Sequence, residues 1–294
     1  MLIHASRSLA LLVLTFSAAT LSAADWTQFR GKGGLGISEE TGLPLKWSAK
    51  ENVVWKTEMP GPGTSSPITL GDRVFLTCYS GYELQPGMGD PNVLVRHLLC
   101  LNRKGGEIIW HKKFQPKLPE HKYQGEGSYH GYAASTPTTD GKRLYVFFGK
   151  SGVFCFDLDG KELWQTSVGD GTSRWGSGSS PLLYKNLLIV NASAESGSLV
   201  ALDKTTGKEM WRAKGIGSSW NTPLLIPGKE KTELVVSISN HLVSFSPDTG
   251  DELWRAEGVH RYVCPSVVYH EDVVFAIGGG HTPWLCERGA AGTS

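Results

Sequence analysis

Residues 199–211 read LVALDKTTGKEMW, and the same pattern occurs three more times in the chain. Each copy has an apolar run, a polar turn that contains glycine, and a short run that ends in tryptophan. The other copies are LLCLNRKGGEIIW at 98–110, VFCFDLDGKELW at 153–164 and LVSFSPDTGDELW at 242–254. Short apolar runs on both sides of a glycine turn are typical of a β-hairpin, so each copy predicts two paired strands.

A proline at the start of each repeat provides a second marker. It ends the tripeptides SSP, STP, SSP and NTP, and in the fifth repeat it follows a cysteine. These prolines are Pro67, Pro137, Pro181, Pro223 and Pro265. The last four are about 43 residues apart, and each interval has room for four short strands. Four strands at this period are typical of a propeller blade. The sequence therefore predicts an all-β fold, a β-propeller of four-stranded antiparallel blades with about five repeats.

The tryptophan that closes each repeat is predicted to seal the junction between neighbouring blades. A buried tryptophan removes roughly 150–250 Å² from water, which suits a contact repeated at every junction. The set is Trp110, Trp164, Trp211 and Trp254, with Trp55 in ENVVWKTEMP as a closing strand that lacks its partner. Cys100 and Cys155 align with Ala201 and Ser244, so these cysteines are predicted to occupy a close-packed position that takes small residues.

The pattern AxDxxTGxxxW, present as ALDKTTGKEMW at 201–211, resembles the repeat of pyrroloquinoline-quinone (PQQ)-dependent alcohol dehydrogenases. It also resembles the repeat of their non-enzymatic relatives, such as the lipoprotein of the bacterial outer-membrane assembly machine. The resemblance covers about residues 26–281 and implies the fold rather than an activity, because the motif packs blades. It implies an eight-bladed ring, of which this chain holds about five repeats.

The last repeat loses the pattern near Gly280, so we expect a truncated or altered member with an incomplete final blade. A closed five-bladed ring is the alternative. It requires residues 283–288 to form a third strand and the Trp55 strand to form the fourth. An open ring would leave an unpaired edge and an exposed blade face, which favour association.

The N-terminus predicts export. A basic stretch precedes an apolar run at 9–21, and small residues follow at 22–24, as in a secretory signal peptide. We expect residues 1–24 to be removed and residues 25–294 to form the propeller in the periplasm or outside the cell, with no transmembrane segment. The net charge is +1 and the basic residues are scattered, which argues against nucleic acid as a partner.

Loops on one face of the propeller are predicted to bind the ligand. Two insertions, at 80–96 and 113–132, belong to the loop classes that share this face with the segments leading into each blade. The candidate ligand-binding residues in these segments are Tyr129, His130, Tyr132, Arg174, Trp175, Trp220, Asn221, His260, Arg261 and Tyr262. Aromatic and cationic groups suit an anionic quinone or a glycan. The alternative is that these residues only cap the channel.

Two functions remain open. The first is an exported, non-catalytic scaffold that holds a protein or a glycan of the cell envelope. The second, implied by the resemblance, is an alcohol or sugar dehydrogenase that uses PQQ and calcium. Such dehydrogenases commonly have adjacent cysteines, an acidic base and calcium ligands. The five cysteines here are scattered, and no base or ligand can be matched residue by residue. The sequence therefore favours the scaffold and assigns no catalytic residue and no metal site.

Overall fold

The computed structural model describes residues 24–85, 88–120, 130–173, 175–228, 230–261 and 263–278, and the backbone of 284–287. Within these ranges the chain forms nineteen strands in five antiparallel sheets, which we call blades 1 to 5. Strand order within each sheet follows chain order, and the fifth sheet has three described strands. The predicted all-β fold is confirmed. The predicted signal peptide lies outside the described residues up to position 23.

The strands of blade 1 are β1 (Ile68–Leu70), β2 (Arg73–Ser80), β3 (Val95–Asn102) and β4 (Ile108–Phe114). Those of blade 2 are β5 (Thr138–Thr139), β6 (Arg143–Phe147), β7 (Val153–Asp157) and β8 (Glu162–Thr166). Those of blade 3 are β9 (Leu182–Tyr184), β10 (Leu187–Ala192), β11 (Ser198–Asp203) and β12 (Glu209–Lys214). Those of blade 4 are β13 (Leu224–Ile226), β14 (Glu233–Ile238), β15 (His241–Phe245) and β16 (Glu252–Glu257). Those of blade 5 are β17 (Val268–His270), β18 (Val273–Ala276) and β19 (Trp284–Glu287).

The few helical segments are short and lie in loops. Helix α1 (Ser193–Ser196) joins β10 to β11 in blade 3. Three-residue 3-10 turns occupy Lys32–Gly34, Pro91–Val93 and Gly149–Ser151. Among the described residues, we find no helix with the length and apolar character that a membrane crossing requires.

Four of the five repeat tryptophans, Trp55, Trp110, Trp164 and Trp211, make the same contact with the blade that follows them. The indole lies against the turn glycine between the third and fourth strands of the following blade, and its N–H donates to a carbonyl of that turn. The four bonds are Trp55 to Arg103 (2.9 Å), Trp110 to Leu158 (3.0 Å), Trp164 to Lys204 (3.3 Å) and Trp211 to Pro247 (3.1 Å). A Cβ built on any of the four turn glycines would lie 3.0 Å or less from the indole. Glycine therefore recurs in these turns because the indole leaves no room for a Cβ atom.

The small residue of each repeat lies directly opposite the tryptophan on the neighbouring strand. Cys100 pairs with Trp110 and Cys155 with Trp164, as Ala201 does with Trp211. Both cysteines are fully buried. Burial raises the pKa of Cys100 to about 11 and that of Cys155 to about 12, so both remain thiols at neutral pH.

The hydroxyl before each marker proline links neighbouring blades. The backbone N–H of this position donates to the hydroxyl of the same position in the following blade. The bonds are Ser66 to Thr136 (2.9 Å), Thr136 to Ser180 (3.0 Å), Ser180 to Thr222 (2.9 Å) and Thr222 to Ser266 (3.0 Å). In this series Ser266 and Val267 of blade 5 occupy the positions that Thr222 and Pro223 occupy in blade 4. The predicted fifth marker, Pro265, therefore lies two residues before the position of the other marker prolines.

Apolar side chains fill the junctions between successive blades. Separate clusters join blades 1 and 2, blades 2 and 3, blades 3 and 4, and blades 4 and 5. The N-terminal segment crosses the innermost strands. Trp26 bridges Thr69 of β1, and the Thr27 carbonyl accepts the N–H of Thr139 (3.0 Å). Farther along, Leu35 packs against the cluster of blades 4 and 5. This segment, the innermost strands of blades 3 and 4 and residues 266–267 line a partly open cavity of about 250 Å³.

The structure tests the two predicted features of the last blade. Strand β19 at 284–287 supplies a third strand within the predicted range 283–288. In the described part of the chain, however, β19 pairs with β18, and segment 51–59 pairs with no strand of blade 5. Closure as a five-bladed ring is not seen, and the eight-bladed ring remains a prediction. The insertion predicted at 80–96 is shorter in the structure, because β3 already begins at Val95.

Candidate functional site

Seven of the ten predicted ligand-binding residues lie within the described chain, and Tyr129, Arg174 and Tyr262 lie outside it. All seven belong to segments that lead into blades 2 to 5. Three of these, His130, Trp175 and Trp220, form one connected group. Two others are buried, and the last two lie exposed before blade 5.

Trp175 and Trp220 form a half-buried aromatic pair. Their ring centroids are 4.9 Å apart with an interplanar angle of 52°. The indole N–H of Trp220 donates to the carbonyl of Gly176 (2.8 Å), and His130 Nε2 lies 2.5 Å from the carbonyl oxygen of Trp175. The pair therefore connects the segments that lead into blades 2, 3 and 4.

Short backbone pairing fixes the position of Trp220. Its backbone N–H donates to the Val263 carbonyl (2.8 Å), and the Val263 N–H donates to the Ser218 carbonyl (3.0 Å). These bonds form a parallel bridge between the segments that lead into blades 4 and 5. A tryptophan held at its backbone and at its indole N–H loses little conformational freedom when a ligand binds.

Asn221 and Tyr132 lie below the surface. Asn221 is 1% exposed, and its amide donates to the carbonyl of Ser237 (2.6 Å) and to the hydroxyl of Ser219 (2.9 Å). Tyr132 is 4% exposed and packs with its ring against Tyr79 and Tyr82. Asn221 stabilises the segment that carries Trp220, and Tyr132 stabilises the segment that carries His130.

His260 and Arg261 are exposed in the segment before blade 5. His260 Nδ1 lies 3.1 Å from Asn240 Oδ1, which connects this segment to the loop between β14 and β15. Arg261 has φ of +72°, a conformation that non-glycine residues rarely adopt. The two residues add exposed polar groups to the segment that leads into blade 5.

A buried carboxyl that sequence reasoning missed lies next to this face. Glu195, on helix α1, is 5% exposed, and its Oε1 accepts a hydrogen bond from the hydroxyl of Ser177. Its Oε2 is buried and has no hydrogen-bond partner in the described structure. Burial raises the pKa of this carboxyl to about 7, so the group holds its proton over most of the acidic range.

A buried ion pair lies beside Glu195. Arg96 of β3 and Glu120 are 2.7 Å apart, and both side chains are almost completely buried. Arg96 also donates to the carbonyl of Tyr132 (2.9 Å) and to the hydroxyl of Ser151 (3.2 Å). The guanidinium therefore anchors the lead-in segment of blade 2 onto blade 1. Breaking a buried pair of this kind leaves an uncompensated charge, which is strongly destabilising.

A small cavity separates Glu195 from the ion pair. Arg96, Glu120, Ser135 and Glu195 line it, and its volume is about 20 Å³. This volume accommodates about one water molecule. The hydroxyl of Ser135 is also buried without a hydrogen-bond partner in the described structure, so a water here would have polar groups to bind. The sequence signal was a single acidic residue, in NASAES, within a loop between two buried strands.

The described side chains do not fit a bound quinone with calcium. Calcium takes six to eight oxygen ligands, and no group of three or more acidic, histidine or cysteine side chains comes together among the described residues. Glu120 and Glu195 are buried carboxyl groups beside this face, and the cavity between them is too small for a three-ring quinone. We therefore derive no chemistry through these groups.

Comparison with known proteins identifies the repeat. Residues 195–283 match the family described as "Outer membrane protein assembly factor BamB". The structure of BamB from Moraxella catarrhalis superposes with a TM-score of 0.57 and 15% identity, over 80% of this chain and 63% of that one. The chain carries PQQ-like β-propeller repeats. The quinohemoprotein alcohol dehydrogenase from Comamonas testosteroni superposes on this PQQ-like propeller with a TM-score of 0.61 and 12% identity, over 86% of this chain and 46% of that one.

A curated relative of the PQQ-like propeller is an enzyme. A polyvinylalcohol dehydrogenase from Sphingopyxis sp. (strain 113P3) is 24% identical over 202 residues, which are 63% of this chain and 26% of that protein. The chain thus spans about a quarter of the length of the curated relatives that it matches. Scaffold-type and dehydrogenase-type propellers are both among the similar proteins, so these comparisons are compatible with either function.

Proposed function

We propose that this PQQ-like propeller is an exported, non-catalytic scaffold of the cell envelope that binds a partner protein through the Trp175–Trp220 face. The observation that carries the proposal is the half-buried aromatic pair, which is held at the indole N–H of Trp220 and at the backbone carbonyl of Trp175. Tryptophan is enriched among the residues that dominate protein–protein binding energy. The similarity to BamB supports a protein as the partner, and export rests on the predicted signal peptide.

The rigidity of the pair supports binding rather than catalysis. Loops that are fixed by backbone pairing present a preformed surface, which lowers the entropy lost on association. The exposed His260 and Arg261 add polar groups in the segment that leads into blade 5, as in the rim of a protein interface. Loss of one such tryptophan typically costs about 2 kcal/mol or more of binding free energy.

The test compares capture by the exported part, residues 25–294, with capture by Trp175→Ala, using an extract of the source organism's envelope. Trp47→Ala is the matched control, because Trp47 is 71% exposed outside the predicted face. Quantitative mass spectrometry identifies proteins lost with Trp175→Ala only. A purified candidate is then titrated by calorimetry, and we expect roughly a thirtyfold or greater loss of affinity in this variant. Equal affinity of both variants for every purified candidate would refute the proposed face. A glycan retained in place of a protein would correct the partner class.

The dehydrogenase is the second candidate, and two observations favour it. The curated relatives are dehydrogenases, and Glu195 is a buried carboxyl that titrates near neutral pH. Thermal unfolding is therefore measured alone, with Ca²⁺, and with Ca²⁺ and PQQ. A ligand at a hundred times its dissociation constant stabilises the folded state by about 2.7 kcal/mol. A shift with PQQ, followed by oxidation of an alcohol, would establish the enzyme. An unchanged melting temperature would leave the scaffold as the function to pursue.

A further inference from the structure

The partly open cavity of about 250 Å³ lies between two parts of the described chain. One wall is formed by segment 28–34, which follows the innermost strands. The other wall is formed by the starts of blades 3 and 4, at 181–183 and 222–225, together with residues 266–267. Both walls thus belong to the described chain, and the tryptophans of the proposed partner-binding face line neither of them.

The wall formed by the blades is mainly apolar. Leu183 of β9 and Leu225 of β13 are half-buried there, next to the marker prolines Pro181 and Pro223, and Val267 completes the wall. Apolar surface of this kind favours hydrocarbon over water. A cavity of about 150 Å³ lined by apolar side chains already accommodates benzene. A volume of about 250 Å³ therefore has room for a ring with a short side chain.

The opposite wall carries one cation. Arg30 is half-buried, and its guanidinium carbon lies 5.7 Å from the centroid of the Phe29 ring, which lines the same cavity. Within the described chain, no carboxylate pairs with Arg30. Withdrawing an unpaired charge from water costs free energy. An anionic group on a bound molecule would supply the missing partner through charge-assisted hydrogen bonds.

The backbone around Arg30 holds it beside the cavity. Arg30 has φ of +58°, a conformation that non-glycine residues rarely adopt and that is often found at ligand sites. Its carbonyl accepts the N–H of Gly36 (2.8 Å), which closes the turn. Gly34, within this turn, lies against the wall, because a Cβ there would be 3.0 Å from Leu224 Cδ1. The turn is therefore seated on blade 4 while Arg30 lines the cavity.

Two hydroxyls add polar groups to the wall of the blades. Thr222 Oγ1 accepts the backbone N–H of Ser180 (2.9 Å), and Ser266 Oγ accepts that of Thr222 (3.0 Å). Both residues line the cavity, and a hydroxyl that accepts one N–H can still donate its own proton. A few polar groups in a mainly apolar lining are typical of sites for small molecules.

We propose that this cavity binds a small apolar monocarboxylate, with its hydrocarbon part against the leucines of blades 3 and 4 and its carboxylate on Arg30. One cation matches one carboxylate, whereas further carboxylates would be withdrawn from water without a partner. The ligand contacts the N-terminal segment and the blades at once, so its binding stabilises the folded chain. This site is independent of the proposed partner protein and of the face that binds it.

Isothermal titration calorimetry measures binding of 3-phenylpropionate and of 3-phenylpropanol, its uncharged analogue. The carboxylate should bind roughly tenfold more tightly or better, because hydrogen bonds between charged groups are the stronger ones. Arg30→Gln should weaken binding of the carboxylate roughly tenfold or more and change binding of the alcohol less than about twofold. Lys32→Gln is the matched control, because Lys32 is an exposed cation of the same turn that does not line the cavity.

Leu183→Phe tests the place of the hydrocarbon part. The larger side chain narrows the cavity from the blade wall, so both probes should bind more weakly, and melting curves confirm that each variant folds. Unchanged affinity in a folded Leu183→Phe would overturn the assignment to this cavity. So would a wild-type protein that does not bind 3-phenylpropionate, equal affinity for the two probes, or equal losses in Arg30→Gln and Lys32→Gln. The comparison of these two charge variants does not depend on the folding of Leu183→Phe.

Discussion

Gly207 lies in the turn between β11 and β12 with φ of +73°, beneath the indole of Trp164. A Cβ at this position would lie 2.6 Å from a ring carbon of Trp164 and 2.7 Å from the hydroxyl oxygen of Thr166. Gly207→Ala must therefore displace the indole or the turn. We expect it to destabilise the junction of blades 2 and 3 more than the backbone strain alone would.

The structure offers a matched control for this expectation. Gly141, between β5 and β6, has φ of +85°, and a Cβ there would meet no atom within 4 Å. The left-handed backbone costs an alanine about 1–2 kcal/mol at either position. Overpacking adds about 1–3 kcal/mol at Gly207 only. Gly207→Ala should therefore lose about 2–5 kcal/mol of unfolding free energy, and Gly141→Ala about 1–2 kcal/mol.

Urea unfolding of both variants measures the difference. A double-mutant cycle then repeats Gly207→Ala with Trp164→Leu, whose smaller side chain leaves room for the new methyl group. In that background the cost should fall toward that of Gly141→Ala, giving a coupling energy of about 1–3 kcal/mol. Equal losses of unfolding free energy for the two glycine variants, or no coupling energy with Trp164→Leu, would refute the steric contact between Gly207 and Trp164.

Two further predictions concern the candidate site. The pKa of Glu195 is raised from its ordinary 4.5 to about 7, so its contribution to stability is complete below about pH 4.5 and is lost as pH rises to about 7. Wild-type stability should fall by about 3 kcal/mol more than that of Glu195→Gln over this interval, and parallel curves in denaturant titrations would contradict the burial argument. Asn221→Ala should lose about 1–3 kcal/mol, because the buried Ser237 carbonyl loses one of its two donors. The exposed Asn92→Ala, at a position without a left-handed backbone, should lose less than about 0.5 kcal/mol. Equal melting temperatures for these two variants would rule out the structural role of Asn221.

The blades were predictable because their sequence pattern and their packing have the same period. A tryptophan, a turn glycine and a small residue recur at fixed spacing, and in the structure they meet as one contact. Cys155, for example, pairs with Trp164, whose indole rests on Gly207 of the next blade. Such a contact requires particular residue types at each repeat, so it leaves a periodic trace in the sequence.

The candidate site was less predictable because its contacts are not periodic. Asn221 looked like a ligand-binding residue, since it is polar and lies beside Trp220. Its amide replaces the hydroxyl of Ser179, which donates to the Asn191 carbonyl at the same position in blade 3 (2.7 Å). Glu195 had no counterpart in other repeats. Its burial depends on Ser177 and on the Arg96–Glu120 pair, which are distant in sequence.

Trp254 is the exception to the contact that the other repeat tryptophans make with the following blade. It has the sequence pattern of the other repeat tryptophans, but its indole N–H donates to the carboxylate of Glu233 in its own blade (2.7 Å). The indole of each of the four other tryptophans donates to a carbonyl of the turn between the third and fourth strands of the following blade. In each of these cases that turn lies within the described chain. Blade 5 reaches β19 and has no described fourth strand. Trp254 therefore has no such turn of a following blade to bond within the described chain.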